Sequence, residues 1–170
     1  GEKPLRRLLP LKQKRYGGGT TGSEVAAGRI ADQFTPVIQA KLAEFGCQMV
    51  SHVVLGDDNA AITAAIRQML QEGCEMVFCT GGMSVDPDDK TPLAIRNTGA
   101  RVISYGAPVL PGAMFLVSYM EDGRPVCGLP GCVMYAKATI FDLALPRLLA
   151  DEPITGEWLA GLGNGGLCLN

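Results

Sequence analysis

The sequence lacks several features that would place the protein in a specialised class. It has one histidine and no Cys-x-x-Cys pair among its six cysteines, so the usual zinc-binding patterns are excluded. No apolar run approaches the roughly 18–20 residues that span a bilayer, and the N-terminus has no apolar stretch typical of a signal peptide. A net charge of −2 gives the whole chain no general attraction for nucleic acid. We therefore expect neither a membrane nor a nucleic-acid partner.

What is present is typical of one globular domain. Hydrophobic residues make up 47% of the 170 positions, which is enough for a core. Several cysteines lie inside apolar runs, so we expect reduced thiols and a cytoplasmic location. Residues 1–19 carry six Lys and Arg against one acidic residue, which suits a solvated segment or a local contact with nucleic acid or an anionic ligand. We expect a basic segment at 1–19, a domain at 20–150 and a glycine-rich surface tail at 151–170.

Helical and strand patterns alternate along the chain. The predicted helices cover residues 35–45, 59–72, 91–99 and 132–150, the last expected to kink or split at Pro146. The predicted strands cover 47–55, 76–79 and 101–105, followed by a hairpin of 114–120 and 125–128. This order predicts an α/β fold, a three-layer α/β/α sandwich with a mostly parallel sheet and one antiparallel hairpin.

The first strand is harder to place, because three glycines stand at Gly17–Gly19. Glycine weakens strands, so we expect a distorted first strand or one formed by Leu8–Leu11. A flexible linker is an equally good interpretation of the three glycines.

Two loops at predicted strand ends carry polar and acidic residues. Gly81 and Gly82 could bring a phosphate close to the backbone, and the aspartates that follow them would tolerate it only with Mg²⁺. Of Asp57 and Asp58, one is expected to cap the next helix, and the other could act as a general base or Mg²⁺ ligand. Polar turns with local caps are the alternative.

Two further residues have alternative interpretations. Cys132 follows Leu129-Pro130-Gly131 at the start of the last predicted helix, where a thiol becomes more reactive and an anion can bind. A packed thiol is the simpler interpretation of Cys132. We expect His52, inside a strand, to be structural.

Taken in order, these loops resemble the molybdopterin-binding domain family of molybdenum cofactor biosynthesis. The resemblance spans about Thr20 to Leu149. Its segments are Thr21–Val25 with Gly28–Asp32, Val54–Asp58, Thr80–Ser84 followed by Asp89, and Pro111-Gly112 with Gly128–Gly131. A single such segment is weak evidence, but the ordered set is specific.

The resemblance implies molybdopterin as the ligand, with its phosphate side at Thr80-Gly81-Gly82. It implies that Asp57 and Asp89 are the acidic catalytic residues and Mg²⁺ ligands, orienting Mg-ATP for adenylyl transfer to the molybdopterin phosphate. It also implies a homo-oligomer, most often a trimer. The ligand-binding residues it implies are Thr21, Gly22, Ser23, Glu24, Asp32, Thr80, Gly81, Gly82, Ser84, Pro111, Gly112, Pro130, Gly131 and Cys132.

Two departures from the family pattern favour binding over catalysis. A lysine of the family is Ala113 here, and its Asn-Pro pair is Cys132-Val133. Three functions stay open: adenylyl transfer to molybdopterin, non-catalytic binding or sensing of the cofactor, and nucleotide pyrophosphatase activity.

The apolar stretch Met114–Val117 bears on the oligomer. If it faced solvent, it would leave a patch for another subunit to cover. The alternative is that the last long helix covers this hairpin within one chain.

Overall fold

Strands and helices alternate in the computed structural model, which describes residues 10–83, 90–106, 114–131 and 139–164. The strands are β1 (Arg15–Thr21), β2 (Gln48–Leu55), β3 (Met76–Thr80), β4 (Arg101–Tyr105), β5 (Leu116–Tyr119) and β6 (Pro125–Leu129). The helices are α1 (Ser23–Ala26), α2 (Phe34–Ala43), α3 (Asn59–Gln71), α4 (Lys90–Asn97), α5 (Ile140–Leu149) and α6 (Gly156–Asn164). The predicted elements between 47 and 129 are confirmed to within a few residues.

The strands form one sheet in the order β2-β1-β3-β6-β5-β4. Pairing is parallel from β2 through β1 and β3 to β6, while β5 lies antiparallel between β6 and β4. Helices α2, α5 and α6 pack on one face, and α3 and α4 pack on the other. The predicted three-layer α/β fold is therefore confirmed. In this topology the loops after β1, β2, β3 and β6 share one edge of the sheet.

The three glycines lie inside β1, so both the linker and the Leu8–Leu11 interpretations are wrong. Two methionine side chains occupy the space beside these glycines. A β-carbon at Gly17 would stand 2.6 Å from the Met69 sulfur on α3, and one at Gly18 would stand 2.7 Å from the Met49 methyl group. The expected distortion is present as a register shift against β2 between Tyr16 and Gly17.

The apolar hairpin is covered within the chain. Phe115 is 1% exposed, and Leu116 and Val117 are fully buried. Phe115 and Val117 pack in the same cluster as α5, and Leu116 packs with the α3 and α4 layer. Both faces of β5 thus have a helical layer, so the expected exposed patch is wrong and gives no argument for an oligomer.

The C-terminal part is more ordered than the sequence indicates. Helix α5 begins at Ile140 with a capping box formed by Thr139 and Asp142, and it continues through Pro146 to Leu149. The expected surface tail instead contains α6, whose Leu159 is 3% exposed in the core. The expected start of the last helix at Cys132 lies outside the described residues.

The described cysteines agree with one expectation. Cys47, Cys74, Cys79 and Cys127 are free and buried, as expected for reduced thiols. Burial raises the pKa of the Cys79 thiol to about 12, which makes it unreactive. Among the described residues, no helix has the length and apolar character needed to cross a bilayer.

Candidate functional site

An open cavity of about 620 Å³ lies at the carboxyl ends of β1 and β3, and we call it the strand-end cavity. Its polar lining consists of Thr20, Thr21, Asp32, Gln33, Thr80, Gly81, Gly82 and Gly131. Its apolar lining consists of Val25, Ile30, Ala31, Phe34 and Met83. The fold thus brings together segments that lie more than one hundred residues apart in sequence, at the edge where parallel α/β sheets bind ligands.

Two threonines stand side by side at the floor of the cavity. Thr20 and Thr80 are register partners in the parallel strands β1 and β3, so their side chains share one face of the sheet. The Thr20 hydroxyl lies 3.2 Å from Asp32 Oδ2, and the Thr80 hydroxyl donates to the Leu129 carbonyl oxygen at 2.9 Å. Each hydroxyl therefore already has a protein partner.

Asp32 is held by five protein groups. Its Oδ1 atom accepts hydrogen bonds from the backbone N–H groups of Phe34 and Thr35 at 3.0 and 3.1 Å. Its Oδ2 atom lies 2.6 Å from Thr35 Oγ1 and 3.2 Å from both Thr20 Oγ1 and His52 Nε2. Asp32 therefore satisfies the N–H groups of the first two residues of α2.

This network also sets the ionisation of Asp32. Burial alone would raise the pKa of the carboxyl, but hydrogen bonds from Thr35, Thr20 and Phe34 outweigh it and lower the pKa below its usual value. Asp32 is thus a carboxylate that fixes the wall of the cavity. His52 contributes through Nε2, which also lies 2.8 Å from Thr35 Oγ1, a structural role consistent with the sequence prediction.

The loop after β3 is fixed by hydroxyl contacts. Thr21 Oγ1 lies 3.0 Å from the Thr80 carbonyl oxygen and 3.0 Å from Thr91 Oγ1 on α4. Gly81 and Gly82 both have positive φ, at 92° and 59°. A side chain is excluded at Gly81 because a β-carbon there would stand 2.1 Å from the Thr21 carbonyl oxygen. The glycine turn is therefore a requirement of the close packing between β1 and β3.

The turn at α1 supports the wall of the cavity, and only one of the predicted residues Thr21–Glu24, Thr21, lies in the described lining. Ser23 and Glu24 are exposed and are not part of the described lining. The Glu24 carbonyl oxygen accepts hydrogen bonds from the Arg29 and Ile30 N–H groups, which positions the loop. Gly22, with φ 145°, donates its N–H to Leu55 and ties β1 to the end of β2.

The structure separates the roles of the paired aspartates. Asp58 caps α3, because its Oδ1 atom accepts the Ala60 N–H at 3.0 Å. Asp57 is exposed, just beyond the Leu55 that contacts Gly22, and it is not part of the described cavity lining. The prediction that one of the pair is a helix cap is thereby confirmed.

The remaining predicted residues are distributed differently. Pro130 is buried, whereas its neighbour Gly131 lines the cavity. Ser84, Asp86, Asp88, Asp89, Pro111, Gly112 and Cys132 lie outside the described residues. Within the described part of the chain, no three His, Cys, Asp or Glu side chains are grouped to hold a metal ion.

A second cavity, of about 1070 Å³, lies at the opposite edge of the sheet. Its lining includes five Lys and Arg residues and five Asp and Glu residues. Lys14, for example, pairs with Asp151 and donates to the Leu148 carbonyl oxygen at 2.9 Å. This balance of charge favours no particular ligand, and none of the predicted site residues lies there.

Sequence reasoning missed the apolar wall and Thr20. Ile30 is 51% exposed and Phe34 is 1% exposed, and both line the cavity. One signal for Ile30 was present, since it is an apolar residue between Gly28 and Asp32, outside any predicted element. The Asp32 contact with His52 had no such signal, because it depends on the position of β2 beside the loop.

Comparison with known proteins points to one family. A family sequence model described as "Probable molybdopterin binding domain" matches residues 19–150. A molybdenum cofactor biosynthesis bifunctional protein of Synechococcus elongatus is 33% identical over 122 residues, which cover 66% of this chain and 38% of that protein. A CinA-like protein of Mycobacterium tuberculosis is 35% identical over 77 residues, covering 45% of this chain and 18% of that protein. The chain spans well under half the length of these curated relatives.

Solved structures share the fold at lower identity. The protein CinA of Thermoplasma acidophilum has a TM-score of 0.66 and 20% identity, over 80% of this chain and 98% of that one. The tungsten cofactor synthesizing protein MoaB of Pyrococcus furiosus has a TM-score of 0.57 and 19% identity, over 73% of this chain and 86% of that one.

Proposed function

Since the chain belongs to the molybdopterin-binding domain family, we propose that it binds molybdopterin in the strand-end cavity. The observation that carries the proposal is the convergence of Thr21, Asp32, Thr80–Gly82 and Gly131 on one cavity. These residues come from three of the segments that carry the family resemblance. A ligand at this edge also agrees with the general placement of binding sites in parallel α/β sheets.

The two kinds of lining suit the two parts of such a ligand. Phe34, Met83 and the exposed Ile30 offer an apolar wall against which a flat ring can pack. Gly81 is half-buried and Gly82 is exposed, and neither has a side chain, so a phosphate can approach their backbone from the cavity. Asp32 holds the wall in place through its contacts with Thr35 and His52.

Adenylyl transfer is the enzymatic form of this proposal. A phosphate oxygen of molybdopterin would attack the α-phosphorus of ATP, and the bond to the β-phosphate would break to release pyrophosphate. Support comes from Asp57, which is exposed at the strand edge while Asp58 serves as the cap. We assign Asp57 and Asp89 as the acidic pair, which would orient the phosphates and hold Mg²⁺ if ATP is a substrate.

Two alternatives remain and differ in what they release. A non-catalytic binding or sensing module would bind molybdopterin without forming pyrophosphate. A nucleotide pyrophosphatase would use water to hydrolyse a phosphoanhydride bond of the nucleotide, and it would do so in the absence of molybdopterin. The cytoplasmic location and the homotrimer are parts of the same proposal, and the trimer rests on family tendency.

One experiment separates these functions. The purified chain is incubated with Mg-ATP, with and without molybdopterin, and pyrophosphate and adenylated pterin are measured. Both products only when molybdopterin is present support adenylyl transfer. Binding by calorimetry without either product supports the binding module, and nucleotide cleavage without molybdopterin supports the pyrophosphatase. A folded sample with neither binding nor turnover contradicts all three.

A further inference from the structure

At the floor of the strand-end cavity, the hydroxyl groups of Thr20 and Thr80 both donate their protons to other protein groups. The Leu129 carbonyl oxygen is only an acceptor, so the Thr80 hydroxyl at 2.9 Å must donate its proton to it. Asp32 is ionised, so the Thr20 hydroxyl at 3.2 Å likewise donates to the carboxylate. Each threonine has one hydroxyl proton, and each proton is already used within the protein.

Both hydroxyl oxygens can still accept a hydrogen bond from a ligand. A hydroxyl oxygen that has donated its proton still has lone pairs that can accept a hydrogen bond. Thr20 and Thr80 line the cavity and are register partners on adjacent strands, about 4.8 Å apart. They therefore offer two acceptors, side by side, to one edge of a ligand.

The charge nearby acts in the same direction. The Asp32 carboxylate lies directly behind Thr20 and lines the cavity itself. Five protein groups contact its oxygen atoms, but the carboxylate keeps its negative charge. This charge repels a phosphate and attracts the N–H groups of a ligand. The floor is thus unsuited to an anion.

We propose that Thr20 and Thr80 are specificity-determining residues that accept hydrogen bonds from an N–H-bearing edge of the ligand's heterocyclic ring. The ring lies against Phe34, Met83 and Ile30, and the phosphate points away from the two hydroxyls. This inference rests on the proposed function for the identity of the ligand. It adds that the N–H-bearing edge of the ring is recognised, and that the hydroxyl oxygens of Thr20 and Thr80 recognise it.

Two bicyclic probes with different hydrogen-bonding edges test the inference. 6-Hydroxymethylpterin has two adjacent donors, a ring amino group beside a ring N–H, whereas 6-hydroxymethyllumazine has a carbonyl oxygen in place of the amino group and its two ring N–H groups on either side of that oxygen. In the lumazine complex a carbonyl oxygen of the ligand would face a threonine hydroxyl oxygen that can only accept, so no hydrogen bond would form between them. We therefore expect the wild-type chain to bind the pterin at least about tenfold more tightly. Calorimetry or ligand fluorescence measures both affinities.

A matched pair of variants locates the effect. Thr80→Ser keeps the hydroxyl and should keep the tenfold preference. Thr80→Val removes the hydroxyl at nearly constant volume and should reduce the preference to about threefold or less. If Thr80→Val does not fold, the wild-type ratio and the corresponding Thr20→Ser and Thr20→Val pair decide the question.

The outcomes for the inference and for the proposed function are distinct. Equal affinity for the two probes, or binding of molybdopterin without binding of either probe, overturns the inference and leaves the proposed function intact. A preference that persists undiminished in folded valine variants at both positions also overturns it. Binding of neither molybdopterin nor the probes overturns the proposed function together with the inference.

Discussion

Gly81 lies so close to Thr21 that a β-carbon on Gly81 would stand 2.1 Å from the Thr21 carbonyl oxygen. The contact is with backbone, so no side-chain rotation can relieve it. It joins the ends of β1 and β3 directly beneath the strand-end cavity. The shape of the proposed site therefore depends on one residue having no side chain.

The first prediction follows from this contact. Gly81→Ala should lower the free energy of unfolding by more than about 3 kcal/mol, because it combines a backbone clash with a positive φ. Gly82→Ala is the matched control, since its β-carbon would meet neighbours only at 3.4 Å or more. It should cost about 1–2 kcal/mol from its positive φ alone. Urea denaturation measures both, and equal losses would show that the Thr21 contact relaxes.

The second prediction concerns acid stability. Because the pKa of Asp32 is lowered in the folded state, its contribution is present above the unfolded pKa of about 3.9 and is lost as pH falls through the folded pKa. Asp32→Asn should therefore be less stable than wild type at about pH 7, by about 1–3 kcal/mol. The difference should shrink toward about pH 3. Denaturation at both pH values measures it, and a constant difference would contradict the assignment.

The third prediction separates Asp57 from Asp58. Asp58→Ala removes the α3 cap and should cost about 1 kcal/mol of stability. Asp57→Ala should change stability by less than about 0.5 kcal/mol, since Asp57 is exposed. If the chain transfers adenylyl groups, Asp57→Ala should slow turnover by about 10²–10⁴-fold while Asp58→Ala retains it. The reverse pattern would remove Asp57 from the proposed acidic pair.

The fourth prediction tests the C-terminal helix. Leu159→Ala should destabilise the fold by about 2–5 kcal/mol, because Leu159 is 3% exposed within the core cluster. Leu93→Ala is the control, since Leu93 is 42% exposed on α4 and its truncation should cost less than about 1 kcal/mol. Similar melting temperatures for Leu159→Ala and wild type would mean that α6 does not belong to the cooperative core.

Local sequence patterns predicted the elements whose stability depends on local features. The apolar stripe of α3 at Ile62 and Ile66 is buried where expected, and β3 is buried along its whole length. By contrast, β1 could not be predicted, because the methionine that packs beside Gly17, Met69, comes from another element. Helix α6 was missed because its glycines obscured the apolar contacts of Leu159 with a distant core.

The same distinction holds for the site. The cap formed by Asp58 depends on adjacent residues and was predicted as one of two candidates. The five contacts of Asp32 depend on β1, α2 and β2 meeting in space, so no spacing in the sequence indicates them. The groups to which the Thr20 and Thr80 hydroxyls donate are likewise known only from the structure, which places Asp32 beside Thr20 and the Leu129 carbonyl oxygen beside Thr80.

The central claim is that the strand-end cavity binds molybdopterin, and calorimetric titration of the wild type beside two surface variants tests it most directly. Ile30→Glu places a charge on the cavity wall at a 51% exposed position, and Leu93→Glu makes the same change at a 42% exposed position outside the described cavity lining. We expect low-micromolar or tighter binding by the wild type and by Leu93→Glu, and at least about tenfold weaker binding by Ile30→Glu. No binding by a folded wild-type sample, or equal binding by all three proteins, would contradict the account.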